Sequence, residues 1–417
     1  MQSLLAELQD NCSSLWAPRH VQRIDPPTAE EFYRQYVATN TPVIIRGLLG
    51  KWADAAHWSD AALMEKAGEL TVTVDVTPGG HGDCCAEADG EELCRVPYLS
   101  VNDRQRCCSV ERLPAAVHDR GLGLGLGLES QSGLGLHPTV VRVLSCDTRN
   151  FNFTIGAKTI APEAHVYKPP RTLHPKKHNC SRAFSFDGVP YLSHQNSSLT
   201  REFAPLAQRV PSCLPLARDT FRNEPEAVNL WVGDGRAVSA CHKDHFENLY
   251  CVLRGEKRFT LLPPTDILFL YQRQCRAARY AHTPRSWKVQ LEDERVPWIS
   301  ADPAEPNFNR FPLLRYASPV QCAVGPGETL YLPAMWYHRV AQKGVTVAVN
   351  YWHDMAFDHK FVYHNFLVGL APHLPALLSQ QQQQQQPLLQ GGHAEAATAA
   401  ASREECTESA AESEAES

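Results

Sequence analysis

The spacing of apolar residues divides the chain into four stretches. Over residues 1–83 the opening MQSLLAELQDNCSSLW reads as a short amphipathic helix. A helix is expected around Ala29–Val37, a strand at Thr41–Arg46, and a second helical region carrying Trp52 and Trp58. Thr71–Thr77 alternates as a strand does and ends at the turn Pro78-Gly79-Gly80. Residues 84–187 keep no period: they hold Gly-Leu repeats at Gly121–Leu128, paired cysteines and a Pro/His/Lys-rich run from Val166 to His178. A structureless stretch of that length does not belong to the interior of a compact domain. It is expected to be a disordered insertion, or sequence that is not translated.

Strand signals return over residues 188–370. Asn229–Val232 reads as a strand and Gly233-Asp234-Gly235 as a turn. Asn248–Leu253 and Lys257–Leu262 read as the two strands of a hairpin about Arg254-Gly255-Glu256. Gly325–Pro333 reads as a turn into a strand, and Val345–Tyr351 alternates strongly. Around Lys360–Leu370 the residues Phe361, Val362, Phe366, Leu367 and Leu370 recur at helical spacing. That stripe either packs on the chain's own body or pairs two copies, and the pattern does not separate the two. From residue 371 the chain passes into seven consecutive glutamines, Gln380–Gln386, and an Ala/Glu/Ser tail too polar to fold.

Charge narrows the function classes. A formal charge of -6 gives no field that would draw the chain to nucleic acid. No apolar run of about 18 residues is present, so no membrane span is expected. The N-terminus carries Glu7 and Asp10 and lacks the features of a signal peptide. A reducing compartment, cytoplasmic or nuclear, is therefore expected, with free thiols for the 14 cysteines and unmodified sequons at Asn11, Asn152, Asn179 and Asn196.

The candidate chemistry lies in NLWVGDGRAVSACHKDHFENLYCVLRGEKRFTLL. On a strand, His242 and Asp244 project to one face and Lys243 to the other. A lone carboxylate in a core costs several kcal/mol, and a divalent cation removes that cost. His338, just beyond the Gly325–Pro333 strand, is placed where a neighbouring strand of a barrel could present it to the same interior. Two histidines and one carboxylate leave coordination sites open, the arrangement used by non-haem Fe(II) oxygenases for a bidentate keto acid and dioxygen. An isolated His-x-Asp is common and by itself reads as structural. His57, His81, His245 and His353 read as surface or core residues. Lys257 reads as a solvated lysine, or as the cation for the distal carboxylate of 2-oxoglutarate, beside the hydroxyls of Ser239 and Tyr191.

These residues resemble the JmjC oxygenases of the small hydroxylase class. The carrying stretches are FYRQYVATNTPVIIRGLLGKW, VDVTPGG, the segment around His242, VPWISADP, GETLYLPAMWYHRV and VAVNYWHDM. The resemblance implies a mainly β fold, a double-stranded β-helix of jelly-roll type, with residues 1–83 as its helical flank and 188–370 as the barrel and C-terminal helices. It implies ligation of Fe(II) by His242, Asp244 and His338, and 2-oxoglutarate held by Lys257 with Ser239 and Tyr191. Asn350 and Asn248 match polar positions near that cosubstrate. It also implies use of dioxygen, a protein substrate bearing a target lysine hydroxylated at C3 (translation-associated GTPases among them), and pairing through the C-terminal helices. Three other readings stay open: a divalent-metal peptidase acting on histone tails, a histone lysine demethylase, and a non-catalytic binding module. Glu247 or Asp354 would be the acidic groups at hand for a lysine ammonium.

Overall fold

A computed structural model describes residues 2–68, 70–88, 91–95, 140–142, 188–282 and 287–380. The Gly-Leu repeats, the Pro/His/Lys-rich run, most of the expected insertion and the acidic tail lie outside the described residues. Ten strands form one folded-over sheet. In chain order they are β1 (Gln22–Ile24), β2 (Val43–Arg46), β3 (Asp75–Thr77), β4 (Val189–Leu192), β5 (Ala227–Gly233), β6 (Ser239–Lys243), β7 (Phe246–Leu262), β8 (Val320–Val324), β9 (Glu328–Leu332) and β10 (Tyr337–Asp354).

β7 and β10 lie antiparallel along their whole lengths, Phe246 facing Asp354 at one end and Leu262 facing Tyr337 at the other. Their outer edges are divided between two sets of partners. The first half of β7 and the second half of β10 belong to a larger sheet of order β1-β2-β9-β7-β10-β5-β4-β3. The remaining halves carry β8 and β6. Both long strands therefore pass from one sheet to the other, and the two sheets enclose the interior of a jelly roll.

The bend has an identifiable cause. The ladder slips between Val252 and Arg254 and again before Glu256, and both Gly255 (φ +73°) and Gly344 (φ +72°) are left-handed. Such irregularities kink a strand and increase its twist. Arg254-Gly255-Glu256, expected as a hairpin turn, is this kink: the chain does not reverse, and the two expected strands are one strand of 17 residues. A glycine between two apolar runs signals a break in either case; only long-range pairing with β10 decides which.

The larger sheet is covered on both faces. Leu249, Cys251, Leu253, Val347, Val349 and Tyr351 point outward onto a layer that includes Phe32, Trp58 and Leu199, while Tyr250, Val252, Ala348 and Trp231 point into the barrel. That explains why LYCVL, residues 249–253, is apolar without interruption, since burial on both sides leaves no polar face. Each fully buried aliphatic side chain here contributes about 1.5–3 kcal/mol. Before β2, helix Ala29–Phe32 is opened by a Thr28/Glu31 capping box. The N-terminal helix Gln2–Leu15 packs Leu5 against Phe269 and Leu374.

A separate hairpin, Gln272–His282 with Trp287–Ile299, is extended to four strands by Glu91–Arg95 and Cys85–Ala88. The start of the stretch without period thus supplies strands, paired to a segment nearly two hundred residues later. Cys12, Cys213, Cys241, Cys251 and Cys322 are free thiols.

Helix His359–Leu370 divides the expected apolar stripe between two faces. Leu367 and Leu370 pack beside Phe269 and Leu374, and Phe361 against Met335 and Met355, while Val362, Tyr363 and Phe366 are exposed. With its continuation to Gln380 this segment is long and apolar enough, by length and composition alone, to cross a membrane. Lys360, His364 and Asn365 interrupt it, and one side is docked on the barrel.

The kink makes a checkable statement. A Cβ at Gly255 would lie 2.3 Å from the Val345 carbonyl oxygen, whereas one at Gly344 meets nothing within 4 Å. Gly344→Ala is expected to cost about 1 kcal/mol from conformation alone, and Gly255→Ala about 2 kcal/mol or more because the clash adds to it. Urea denaturation of the two variants checks this; equal losses would contradict the assignment of Gly255 as the pivot.

Candidate metal centre and cosubstrate pocket

β6 lies antiparallel to the first half of β10, with His242 directly opposite His338. Directly opposed residues point to the same side, so both imidazoles enter the barrel together. Their ring centroids are 4.3 Å apart. Asp244 follows the end of β6, where its carbonyl accepts from Met335 N at 2.9 Å. Its Oδ2 lies 3.6 Å from His338 Nε2, and ligand atoms of all three residues fall within 4.8 Å of one another.

Tautomers fix what these groups offer. His242 Nδ1 is 2.7 Å from the Ala240 carbonyl and His338 Nδ1 is 3.0 Å from the Trp336 carbonyl. A carbonyl only accepts, so each Nδ1 carries the proton and each Nε2 lone pair faces the shared space. Burial pushes His338 down to about 4, and His242 beside it works in the same direction. Burial opposes charge on His242 as well, but Asp244 and then Asp83 hold it above its ordinary value. Two neutral-capable imidazole nitrogens and a carboxylate, converging and already oriented, fit a divalent cation and leave further positions open.

The wall behind His242 escaped the sequence reading. Trp298 stacks on the imidazole with ring planes 7° apart, and its Nε1 donates to the Asp83 carbonyl at 2.9 Å. Asp83 Oδ1 accepts from Ala240 N at 3.0 Å. The VPWISADP stretch was a signal for Trp298; nothing local marks Asp83.

Lys257 is fully buried in the second half of β7, opposite Gln342 of β10. Its Nζ donates to Gln342 Oε1 at 2.6 Å and to Tyr191 Oη at 3.1 Å. It is not the solvated lysine that composition favoured. Both partners are neutral, and burial alone pulls the ammonium down to about 7. Ser239 hydrogen-bonds Tyr191 and so reaches Lys257 only through it. Asn350 Oδ1 accepts from Trp231 Nε1 at 2.8 Å, and Asn350 Nδ2 donates to Asn248 Oδ1 at 3.2 Å.

A cavity of about 390 Å³, counted with its open mouth, joins these groups; Tyr191, Ser239, Asn248 and Asn350 share its wall with the three metal-ligand candidates. Lys257 is not on that wall; it lies against Tyr191, which is, with its Nζ 5.0 Å from the Tyr191 ring centroid. A second recess of about 300 Å³ continues past Tyr191 and Ser239 to Asp75 and Asp83.

The other histidines stay apart from the cavity. His245 Nε2 is 2.7 Å from Lys243 Nζ, on the side facing the C-terminal helix, and His353 Nδ1 is paired with Asn223. Glu247 is buried, accepting from Tyr331 Oη and Ala334 N, and Asp354 is exposed at the end of β10. Neither of these two acids lines the cavity; Asp75 and Asp83 line the adjoining recess.

Comparison with known proteins agrees with the fold. A cupin-like domain matches residues 28–359. The human bifunctional peptidase and (3S)-lysyl hydroxylase JMJD7 is 32% identical over 89% of this chain and 95% of its own. JmjC domain-containing protein E of Dictyostelium discoideum is 30% identical over 84% of this chain and 88% of its own, and lysine-specific demethylase JMJ32 of Arabidopsis thaliana 32% over 84% and 86%. The chain belongs to the cupin-like JmjC family of 2-oxoglutarate-dependent dioxygenases. That family depends on Fe(II) and 2-oxoglutarate, and the His242, Asp244, His338 cluster is a donor set of the required kind.

Lys257 gives this site a pH signature. Between pH 7 and 10.5 the folded chain has released a proton that the unfolded chain still binds, so fold stability rises with pH across that window. A carboxylate arriving beside Lys257 restores the proton, so affinity for a dicarboxylate falls as pH rises above about 7. Titration calorimetry of 2-oxoglutarate at pH 8, in two buffers of different ionisation enthalpy, should show uptake of close to one proton. Lys257→Met should lose that uptake and most of the affinity, with no lower melting temperature for the ligand-free chain, because a buried amine with no charged partner is replaced by an apolar stem. Binding by the variant with unchanged proton uptake would remove Lys257 from the cosubstrate site.

Proposed function

We propose that this chain is an Fe(II)- and 2-oxoglutarate-dependent protein hydroxylase that acts at C3 of a lysyl residue. One observation supports it above the rest: a fully buried lysine with neutral hydrogen-bond partners occupies the same barrel interior as the His242, Asp244, His338 cluster. A hydrolase that activates water on a metal has no use for such a cation, whereas a keto acid with a second carboxylate needs one at a fixed depth.

In this reading His242 Nε2, His338 Nε2 and an Asp244 carboxylate oxygen would hold the iron. When bound, ferrous iron and 2-oxoglutarate supply the oxidant that places one oxygen atom of dioxygen into a C–H bond, the keto acid leaving as succinate and carbon dioxide. The residues bind, orient and exclude water. Lys257 and Tyr191 receive the distal carboxylate, while Asn350 and Asn248, locked to each other and to Trp231, fix the shape of the wall. The backbone carbonyls of Ala240 and Trp336 keep the protons of both histidines at Nδ1.

A lysyl substrate is favoured by the acidic recess. Asp83 is buried in its wall, and Asp75 accepts from Ser193 Oγ there. A lysine whose C3 faced the iron would carry its ammonium several bonds further on, and a recess lined by carboxylates is where that charge is least costly. The human relative is a bifunctional peptidase and (3S)-lysyl hydroxylase by name, in keeping with this reading.

Incubation of iron-loaded protein with 2-oxoglutarate and lysyl peptides, followed by mass spectrometry and a succinate assay, tests the proposal. The expected result is a gain of one oxygen on lysine, matched by succinate and absent from His242→Ala. Loss of a methyl group from methyl-lysine would make it a demethylase, and cleaved peptide without succinate would make it a peptidase.

A further inference from the structure

Asn40 is 5% exposed and left-handed (φ +51°), and it stands just before β2, remote in sequence from every residue of the cavity. Its Nδ2 donates to the Ala334 carbonyl at 3.1 Å. The indole Nε1 of Trp336 donates to both the side-chain and main-chain oxygens of Asn40, at 2.8 and 2.9 Å. Asn40 thus grips the segment Ala334-Met335-Trp336 at both ends.

That segment holds the two halves of the metal cluster. Met335 N donates to the Asp244 carbonyl, and the Trp336 carbonyl accepts from His338 Nδ1. Met335 between them is buried, at 2% exposure, with φ +69°. A side chain with a Cβ rarely adopts that conformation, and the surrounding contacts must impose it. Asn40 on one side and Glu247, which accepts from Ala334 N, on the other supply those contacts. Trp16 adds an edge-on ring contact to Trp336, its own Nε1 donating to the Thr39 carbonyl beside Asn40.

We infer that Asn40 is a positioning residue for the metal centre, acting through the left-handed turn at Met335 to set the Asp244 backbone and the His338 tautomer together. This rests on the reading of His242, Asp244 and His338 as metal ligands. The turn has one arrangement in which both ligands are served, and Asn40 selects it. Partners that orient a ligand in this way typically change metal affinity by about 10- to 100-fold when removed.

The test uses the full chain, freed of metal and titrated with cobalt(II), whose visible spectrum reports ligand geometry. Asn40→Gly keeps the left-handed backbone and deletes the side-chain amide; Trp336→Phe keeps an aromatic side chain, though a smaller one, and deletes the indole N–H. Both are expected to weaken cobalt binding about tenfold or more and to change the visible band, while the melting temperature of the metal-free protein stays near that of wild type. Should Asn40→Gly fail to fold, Trp336→Phe carries the test alone. Cobalt affinity and spectrum equal to wild type would overturn the inference, as would a loss of affinity that appears only with unfolding. Wild-type protein that takes up no cobalt would instead sink the reading of the three ligands, a result distinguishable from either.

Discussion

The register between β6 and β10 sets His242 directly across from His338, and the rest of the site is built around that pairing. Because strand side chains alternate with a period of two, a slip by one residue would turn one imidazole out of the barrel. The register is secured at a distance. β10 is tied along its whole length to β7, and the kink at Gly255 and Gly344 carries both strands from the sheet that packs on the helices into the sheet that presents the ligands. The apolar residues on both faces of the larger sheet therefore do more than stabilise a domain. They hold the frame in which two histidines nearly a hundred residues apart become neighbours.

Within that frame the interior carries charge that the chain does not neutralise. Lys257 is buried among neutral groups, and the carboxylate of Asp244 has two imidazoles for company. Each would be costly alone. A divalent cation and a dicarboxylate are complementary to the two in sign, and this is how a jelly roll, a fold that many proteins use without chemistry, becomes a site for oxidation. The same reasoning accounts for the neutral networks between. Asn350, Asn248 and Trp231 hydrogen-bond one another within the wall.

Much of this was legible in the sequence, for reasons that differ by residue. His242 and Asp244 share a face by spacing alone, and the turn before Glu328 announced a strand leading toward His338. Lys257 was ambiguous because a lysine after Arg-Gly-Glu looks solvated until β10 is laid beside it. The supposed hairpin failed for the same reason: glycine marks an interruption, and only pairing partners far along the chain show whether it is a reversal or a kink. Asp83, Gln342 and Asn40 were invisible because each acts through a backbone group or a neighbour that no local pattern reveals. Glu247, offered as a group for a substrate ammonium, is instead tied up by Tyr331 and Ala334. Cys85–Ala88 and Glu91–Arg95 showed no period, yet they pair beside the hairpin at Gln272–Ile299.

The central claim is that the three converging ligands and the buried lysine serve one bound pair, ferrous iron and 2-oxoglutarate. Anaerobic titration of 2-oxoglutarate into iron-loaded protein, followed by visible absorption, addresses it directly. The account predicts the charge-transfer band of ferrous iron chelated by a 2-oxo acid, saturating near one equivalent and missing from His338→Ala. Iron uptake with no such band, or a band of full strength in His338→Ala, would contradict it.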